Sequence, residues 1–185
     1  MKKIYISIFA LSVFTLVLYY WYNKDQNSTG FVIRDFSYAL DYEKIDNLFH
    51  KGDNWYWMIS TSGTNTYSID FALKYATSSQ HVKKHDMIMK VATVDGTIVG
   101  FCSYHPKSAK AWQLLFLIVD QDYRRQGTAR KLLSYAVDDM VKRGALRIDI
   151  ATRNNNFRAQ QLYKSFGAKL VDNNDDDFVH FSWYK

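Results

Sequence analysis

The stretch from Leu115 to Leu133 constrains the fold of this chain more than any other segment. An apolar run ends at Val119, a polar turn follows, and apolar residues at helical spacing resume after Gly127. This pattern predicts a strand, an anion-binding turn and a helix. Because Gly127 has no side chain, a phosphate can approach the backbone of the turn, where unpaired N–H groups of the helix start point towards it.

Positive side chains surround the start of this helix, namely Arg124, Arg125 and Arg130. The alternative without a ligand is a basic helix start exposed to solvent, but the helix dipole disfavours cations at that end. Their placement therefore favours a bound anion. The small residues Gly127 and Ala129 leave room for it.

The length and composition predict one globular domain after a short N-terminal region. A chain of 185 residues with 48% hydrophobic content can bury one substantial core. The single cysteine, Cys102, excludes an intramolecular disulfide, and its apolar neighbours predict a buried side chain rather than a nucleophile. The five histidines are scattered without the paired spacing of metal ligands, so we expect no metal site.

Strand and helix patterns alternate through the rest of the chain, and Asp95-Gly96 between two apolar runs is a strong hairpin signal. The predicted order is β-α-α-β-β-β-α-β-α-β-β. The predicted strands are 31–36, 87–94, 97–104, 112–119, 148–152, 169–172 and 178–184, and the predicted helices are 42–49, 69–76, 128–142 and 157–166.

A second motif lies in the last predicted helix, which begins at Asn156 and carries Ala159, Leu162 and Tyr163 before Phe166-Gly167. With Arg124-x-x-Gly127-x-Ala129, it resembles the GNAT superfamily of acyl-CoA-dependent N-acetyltransferases over residues 31–185. The resemblance implies an α/β (α+β) fold with a mixed, mostly antiparallel central sheet and about four flanking helices. Ala129, where many relatives have glycine, departs slightly from the pattern.

The resemblance also implies a cofactor site for acetyl-CoA, used as co-substrate. The strand bearing Leu117 and Val119 is expected to splay from its neighbour and to bind the pantetheine arm through its backbone. Asn156 is expected to hydrogen-bond the same arm. The pyrophosphate is expected on the turn, chiefly through main-chain N–H groups of Arg124, Arg125, Gly127, Thr128, Ala129 and Arg130.

Tyr163 matches the family tyrosine that protonates the departing coenzyme A thiolate. A phenol with a reference pKa near ~10, above the thiol's ~8.5, carries the proton that is needed. The alternative is a core tyrosine that packs beside Leu162 and Phe166. We expect the catalytic role.

The base for the acceptor amine is left open. A lysine-like ammonium with a pKa near ~10.4 must lose a proton before it attacks. Several relatives carry a glutamate on the central strand, where this chain has Gln113. His105, Asp120 and Asp149 are the replacements that the sequence offers, each with a plain alternative as a strand-end or solvated polar group.

Residues Ile4–Tyr22 contain no charge and follow Lys2 and Lys3. As a helix they span about 28 Å, close to the hydrocarbon thickness of a bilayer. The run ends in bulky aromatic residues, whereas signal-peptide cleavage requires small ones. We therefore expect an uncleaved single-pass anchor with a linker to residue 30, ahead of the domain at 31–185; a signal peptide or a buried helix are the alternatives.

Two considerations point to opposite sides of the membrane for the domain. Lys2 and Lys3 favour a cytoplasmic N-terminus, hence a domain on the far side. Acetyl-CoA is mainly cytosolic, and Lys24 and Arg34 nearly balance the charge, so we expect a cytosol-facing domain. Its net charge of +4, within +6 for the whole chain, is too small to indicate a nucleic-acid partner.

A loop between the first two predicted helices contains Trp55, Tyr56 and Trp57 among turn residues. These aromatic rings either line the acceptor pocket, where they would hold an ammonium by cation–π contact, or pack the loop onto the domain.

The expected function is transfer of acetyl from acetyl-CoA to a primary amine by direct attack in a ternary complex. The rival is a non-catalytic acyl-CoA-binding module. The missing strand carboxylate favours the rival, whereas Tyr163, Asn156 and the phosphate turn favour the enzyme.

Overall fold

The computed structural model of the protein describes residues 30–54, 87–172 and 177–185. Seven strands form one sheet in the order β1-β2-β3-β4-β5-β7-β6. The strands are β1 (Val32–Asp35), β2 (Ile88–Val94), β3 (Thr97–Pro106), β4 (Ala111–Val119), β5 (Arg147–Arg153), β6 (Lys169–Asp172) and β7 (Phe178–Tyr184). The α-helices are α1 (Tyr38–His50), α2 (Thr128–Lys142) and α3 (Phe157–Ser165).

The predicted hairpin is confirmed, because β2 and β3 pair antiparallel up to Val94 and Thr97. The turn between them has positive φ at both Asp95 (49°) and Gly96 (80°). Two left-handed residues give the turn whose twist matches that of the strands.

One pairing in the sheet is parallel, that of β4 with β5, and the others are antiparallel. This pairing runs from Ala111 and Arg147 to Leu114 and Ile150 and then stops, although both strands continue. Beyond Leu114 the two strands separate. The sheet therefore has a gap in its middle, as the resemblance implied.

A bulge in β4 changes which side of the sheet its residues face. Tyr104 of β3 is opposite Leu114, but the preceding Ser103 is opposite Phe116, so Leu115 is the extra residue. Trp112 and Leu114 pack in the core that contains α2, whereas Phe116 packs in the core that contains α1. Without the bulge, alternation would place all three on one face.

The sheet lies between helices on both faces. On one face α1 contributes the fully buried Ile45 and Phe49. On the other face α2 and α3 cover a larger core. The buried residues of α2 with no exposed surface are Leu132, Leu133, Ala136 and Met140. Their spacing along the helix is the amphipathic period that predicted it.

The mixed, mostly antiparallel sheet was predicted, and the helices were predicted in part. Three α-helices lie in the described residues, against about four expected, and the predicted helix at 69–76 lies outside them. Helix α1 begins at Tyr38 rather than at residue 42, because the Ser37 carbonyl accepts a hydrogen bond from the Asp41 N–H (2.8 Å). Tyr38 and Leu40 are exposed, so no apolar period marks this first turn.

The predicted anchor, Ile4–Tyr22, lies outside the described residues. The predicted linker, which ends at residue 30, is described at that last residue alone. Among the helices in 30–54, 87–172 and 177–185, none has the length and apolar character to cross a bilayer. The anchor therefore stays a prediction.

A partly buried hydrogen bond joins β3 to α2. The Tyr104 hydroxyl donates to Asp139 Oδ2 at 2.7 Å, and Arg143 Nε donates to the same oxygen at 2.8 Å. Burial raises the pKa of Tyr104, and its hydrogen bond to Asp139 raises it further. Burial alone would raise the pKa of Asp139, but the hydrogen bonds from Tyr104 and Arg143 lower it overall.

Tyr104→Phe is expected to change how stability depends on alkaline pH. The folded pKa of Tyr104 is raised, so the unfolded chain loses this proton first, and stability falls as the pH rises above ~10. Near pH 7 the variant should lose about 1–2 kcal/mol with the hydrogen bond. Above pH ~10 its stability should fall less steeply than that of the wild type, by up to ~1.4 kcal/mol per pH unit. Urea unfolding at pH 7, 10 and 11 measures both effects. If the free energy of unfolding fell equally steeply with pH in the wild type and the variant, the raised pKa of Tyr104 would be contradicted.

Candidate active site

The gap between β4 and β5 opens into a cleft of about 1120 Å³. Its walls are the second half of β4, the turn before α2, the end of β5 and the start of α3. All ten residues predicted for the site lie on this cleft: Leu117, Val119, Arg124, Arg125, Gly127, Thr128, Ala129, Arg130, Asn156 and Tyr163. The structure thus brings together residues from three separate elements.

The turn before α2 presents backbone donors to the cleft. Gly127 is the N-cap at φ 81°, no side chain caps the helix, and its first turn contains no acidic residue. The N–H groups of Thr128, Ala129 and Arg130 therefore have no partner within the described residues. A Cβ on Gly127 would meet nothing within 4 Å, so the space in front of these donors is open. Together with Arg125 at φ 63°, the turn forms a concavity of the kind that can hold an anion.

Two of the predicted cations, Arg125 and Arg130, are exposed on the cleft. Arg130 also joins α2 to α3, since its Nη2 donates to Ser165 Oγ at 2.9 Å and its guanidinium lies 5.1 Å from the Phe166 ring centroid. Arg158 of α3 adds a third exposed cation. These charges make the turn region of the cleft electropositive.

Arg124 has a different environment from the other arginines. Its guanidinium donates to both carboxylate oxygens of Asp53 (3.1 and 2.7 Å), to Asn54 Oδ1 (2.7 Å) and to the Val119 carbonyl (3.2 Å). Its backbone N–H is bonded to the Gln121 carbonyl at 3.4 Å. These contacts favour a role in fixing the turn over direct phosphate binding. Asp53 is 71 positions away, so no local pattern could show this.

Leu117 and Val119 lie on the part of β4 that has no partner on β5. They pair with Cys102 and Gly100 of β3 on the other side. Backbone groups on the β5 side of this stretch can therefore bond an extended ligand in place of a strand.

Asn156 is the N-cap of α3, where its Oδ1 accepts a hydrogen bond from the Ala159 N–H at 3.2 Å. No described residue bonds its amide nitrogen, which lies on the cleft. The asparagine thus caps the helix and leaves a donor for the binding expected from the motif.

Tyr163 lies at the cleft wall and is 6% exposed, with its ring 6.1 Å from the ring of Phe181. Burial raises the pKa of Tyr163, because a phenolate would be poorly solvated there. The phenol therefore keeps its proton at neutral pH and can act as a hydrogen-bond donor. The packing and the catalytic interpretations are compatible.

The three replacement bases do not line the cleft. Asp120 accepts two hydrogen bonds from Lys51 Nζ (2.7 and 2.8 Å). His105 is 3% exposed, and its Nδ1 lies 3.2 Å from the Pro106 carbonyl. Neither is placed to meet a substrate amine.

Asp149 lines a separate, smaller cavity and is held as an anion. It accepts hydrogen bonds from Lys107 Nζ (3.0 Å), Arg147 Nη2 (3.3 Å) and Ser182 Oγ (2.8 Å). Burial alone would raise the pKa of Asp149, but the Lys107 and Ser182 hydrogen bonds and the nearby cations lower it overall. A carboxylate with a lowered pKa is a weak base.

Sequence reasoning missed His180, which lines the cleft from β7. Its neighbours Val179 and Phe181 are buried in the core, so strand alternation places His180 on the opposite face. That alternation is visible in the sequence. What the sequence did not show is that β7 pairs with β5, which brings His180 opposite Ala151. The aromatic loop Trp55 to Trp57 lies outside the described residues, so its role stays open.

A sheet that parts between two parallel strands, over a helix start with unpaired donors, defines a class of acyltransferases that bind acyl-CoA in the gap. The profile of the acetyltransferase (GNAT) family matches residues 49–168. This protein belongs to that family and is an acyltransferase. The earlier resemblance is confirmed in this respect, and proteins of this fold use acetyl-CoA.

Curated relatives match over a shorter stretch. The [ribosomal protein bS18]-alanine N-acetyltransferase of Escherichia coli K12 is 41% identical over 54 residues, which are 29% of this chain and 36% of that enzyme. The chain thus aligns with about a third of the length of this relative.

Solved structures share the fold over most of the chain. PaiA N-acetyltransferase from Thermoplasma acidophilum, in complex with coenzyme A, superposes with a TM-score of 0.64 at 22% identity and covers 84% of this chain and 99% of that one. Ard1 from Thermoplasma volcanium gives 0.63 at 21% identity, with coverage of 83% and 97%. At these identities the likeness shows the fold alone.

Gly127→Glu is expected to weaken coenzyme A binding about a hundredfold or more, which corresponds to about 3 kcal/mol. The new side chain would project into the open space before the turn and bring a negative charge towards phosphate. Isothermal titration calorimetry with coenzyme A measures the change.

Gly96→Glu is the matched control, since Gly96 has φ 80° and equally open space but lies in the β2–β3 turn. Both variants should lose about 1 kcal/mol of stability from the left-handed backbone. Unchanged affinity in folded Gly127→Glu would contradict the phosphate site.

Proposed function

We propose that this protein transfers an acetyl group from acetyl-CoA to a primary amine by direct attack of the amine in a ternary complex. The observation that carries the proposal is the single cleft on which the free donors of the α2 start, the unpaired edge of β4 and Tyr163 all lie. Each of these features meets one part of an acyl-CoA: the pyrophosphate, the extended arm and the sulfur.

The residues of the turn suit coenzyme A. Gly127, Thr128, Ala129 and Arg130 offer main-chain N–H groups to the pyrophosphate, with Arg125 and Arg130 adding charge. Leu117, Val119 and the Asn156 amide suit the amide-containing pantetheine arm. When bound, acetyl-CoA supplies the activated acyl group for the reaction.

Tyr163 suits the role of acid for the departing sulfur. Its raised pKa keeps the phenol protonated, so it stabilises the developing thiolate by hydrogen-bond donation. Full transfer of a proton from so weak an acid is uphill, so donation of a hydrogen bond is the form of help that we assign to it.

The environment of Cys102 supports direct transfer over an acyl-enzyme pathway. Cys102 is the chain's single cysteine and has no exposed surface. Burial raises the pKa of Cys102 to about 12, so little thiolate forms at neutral pH. A cysteine-bound acyl group is therefore disfavoured.

The acceptor belongs to the class of primary amines. A peptide with alanine at its N-terminus is the first candidate because of the bS18-alanine N-acetyltransferase relative. The test is thiol release from acetyl-CoA by the full chain in detergent, with a panel of alanine-terminated peptides, lysine peptides and small amines. Coenzyme A binding is measured in parallel. Binding without turnover on every amine would establish the rival function, an acyl-CoA-binding module.

Tyr163→Phe keeps the ring and its packing on Phe181 but removes the donor. We expect kcat to fall about 10²- to 10³-fold, as for the loss of one hydrogen-bond donor to a developing anion, while the Kd for coenzyme A stays near the wild-type value. Single-turnover measurements ensure that chemistry is the step observed. A variant that reacts at the wild-type rate would leave Tyr163 with its packing role only.

We further propose that residues 4–22 anchor the protein in a bilayer as a single-pass helix, with the domain facing the cytosol. Alkaline carbonate extraction of expressing cells should leave the full chain in the membrane pellet and release a chain that begins at residue 30. Extraction of both forms would contradict the anchor. Protease protection of the domain in inside-out vesicles would contradict the cytosolic orientation.

A further inference from the structure

A smaller cavity of about 350 Å³ adjoins the cleft. Gln113, Ala151 and His180 line both, so the two spaces meet at these three residues. The remaining described residues of the smaller cavity are Lys107, Arg147, Asp149, Ile150, Val171, Phe181, Ser182 and Tyr184.

The smaller cavity lies mainly on the face of the sheet opposite α2, although Ile150 and Phe181 also contribute to its lining. Ile148 and Ile150 of β5, and Phe181 of β7, pack in the core with α2. Alternation turns Ala151 and His180 to the other face. The cleft, in contrast, is lined from both faces of β4, because it passes through the gap beside that strand. Among the described residues, the smaller cavity and the cleft meet at Gln113, Ala151 and His180.

Among the described residues that line either space, His180 is the one suited to accept a proton. The other titratable side chains on the cleft are Asp53, Tyr123, Arg124, Arg125, Arg130, Arg158 and Tyr163, and those of the smaller cavity are Lys107, Arg147, Asp149 and Tyr184. Arginine and lysine are cations, and the phenols are protonated at neutral pH. Asp53 is paired with Arg124, and Asp149 with Lys107 and Arg147. Histidine is the side chain that is commonly a neutral base near pH 7.

We propose that the smaller cavity receives the acceptor amine and that His180 is the catalytic base. This inference rests on the proposed acetyl transfer. The ammonium gives one proton to the His180 imidazole, and the free amine then forms the N–C bond as the C–S bond breaks. The electron pair of that bond leaves with the sulfur, which takes the second proton of the amine. His180 thus fills the role for which Gln113 lacks a titratable group.

The cavity also restricts the acceptor. Its volume lies at the lower end of ligand pockets, so it suits a small amine or the first residue of a peptide. Among the described residues of its lining, Lys107 and Arg147 outnumber the single carboxylate, Asp149, so the neutral form of the amine is favoured there over the ammonium.

The test of His180 uses two acceptors that differ in basicity: the best amine of the panel, and its aminooxy analogue, which is neutral at pH 7. His180→Gln should lower kcat 10²- to 10⁴-fold for the amine and much less for the aminooxy compound. The Kd for coenzyme A should be unchanged, and imidazole in the buffer should restore part of the rate. His50 is an exposed histidine on α1 that lines neither space, so His50→Gln should behave as the wild type.

Equal losses with both acceptors, or no loss with either, would overturn the base assignment while leaving the acetyltransferase activity intact. If the wild-type chain turned over no amine at all, the proposed function and this assignment would both fail. These results are therefore distinguishable.

The acceptor path is tested by Val171→Trp, which places a bulky ring at the smaller cavity without touching the cleft. Val171 is 58% exposed, so the fold should tolerate the change. We expect KM for the amine to rise at least tenfold with the same Kd for coenzyme A. Leu170→Trp is the control, since Leu170 is 52% exposed on the same strand and lines neither space. The same KM in both variants would overturn the path.

Discussion

The site depends on the place where the parallel pairing of β4 and β5 stops. Four residue pairs, from Ala111 and Arg147 to Leu114 and Ile150, hold the two halves of the sheet together. Beyond them, the edges of β4 and β5 that face each other have no strand partner among the described residues. The bulge at Leu115 lies directly after the last pair. The side chains of β4 therefore switch faces of the sheet at the point where β4 stops pairing with β5. An unpaired strand edge is a liability elsewhere in proteins, but here it forms the wall of the cleft.

Ion pairs hold the turn in position across the end of α1. Lys51 Nζ bonds Asp120 (2.7 and 2.8 Å) and Asp122 (2.7 Å) on one side of the turn, and Arg124 bonds Asp53 on the other. Five charged side chains on the turn and the helix end are thereby paired. The exposed cations Arg125 and Arg130 remain for a ligand. Basic residues close to a carboxylate hold the turn in position, and those without one remain available to a ligand.

Local sequence patterns predicted the strands, helices and turns, but they could not predict contacts between residues far apart in the chain. Asp95-Gly96 and Gly127 need backbone angles that neighbouring residues reveal, so the hairpin and the turn could be read from the sequence. Arg124 was expected at the phosphate with the others, because nothing near it in sequence shows that Asp53 is its partner. His180 was missed for the same reason: its place at the cleft follows from the pairing of β7 with β5, which periodicity does not contain.

The position of β7 has a consequence for how the molecule is made. It is synthesised after β6 yet lies between β5 and β6 in the finished sheet. The nascent chain can form the β2–β3–β4 meander and α2 early, because these contacts are local. The half of the sheet beyond β5 must wait until residues 178–184 leave the ribosome, because β6 joins the described sheet through β7. Until then Phe181 cannot pack against Tyr163, so a nascent chain that still holds these residues in the ribosome lacks a complete site.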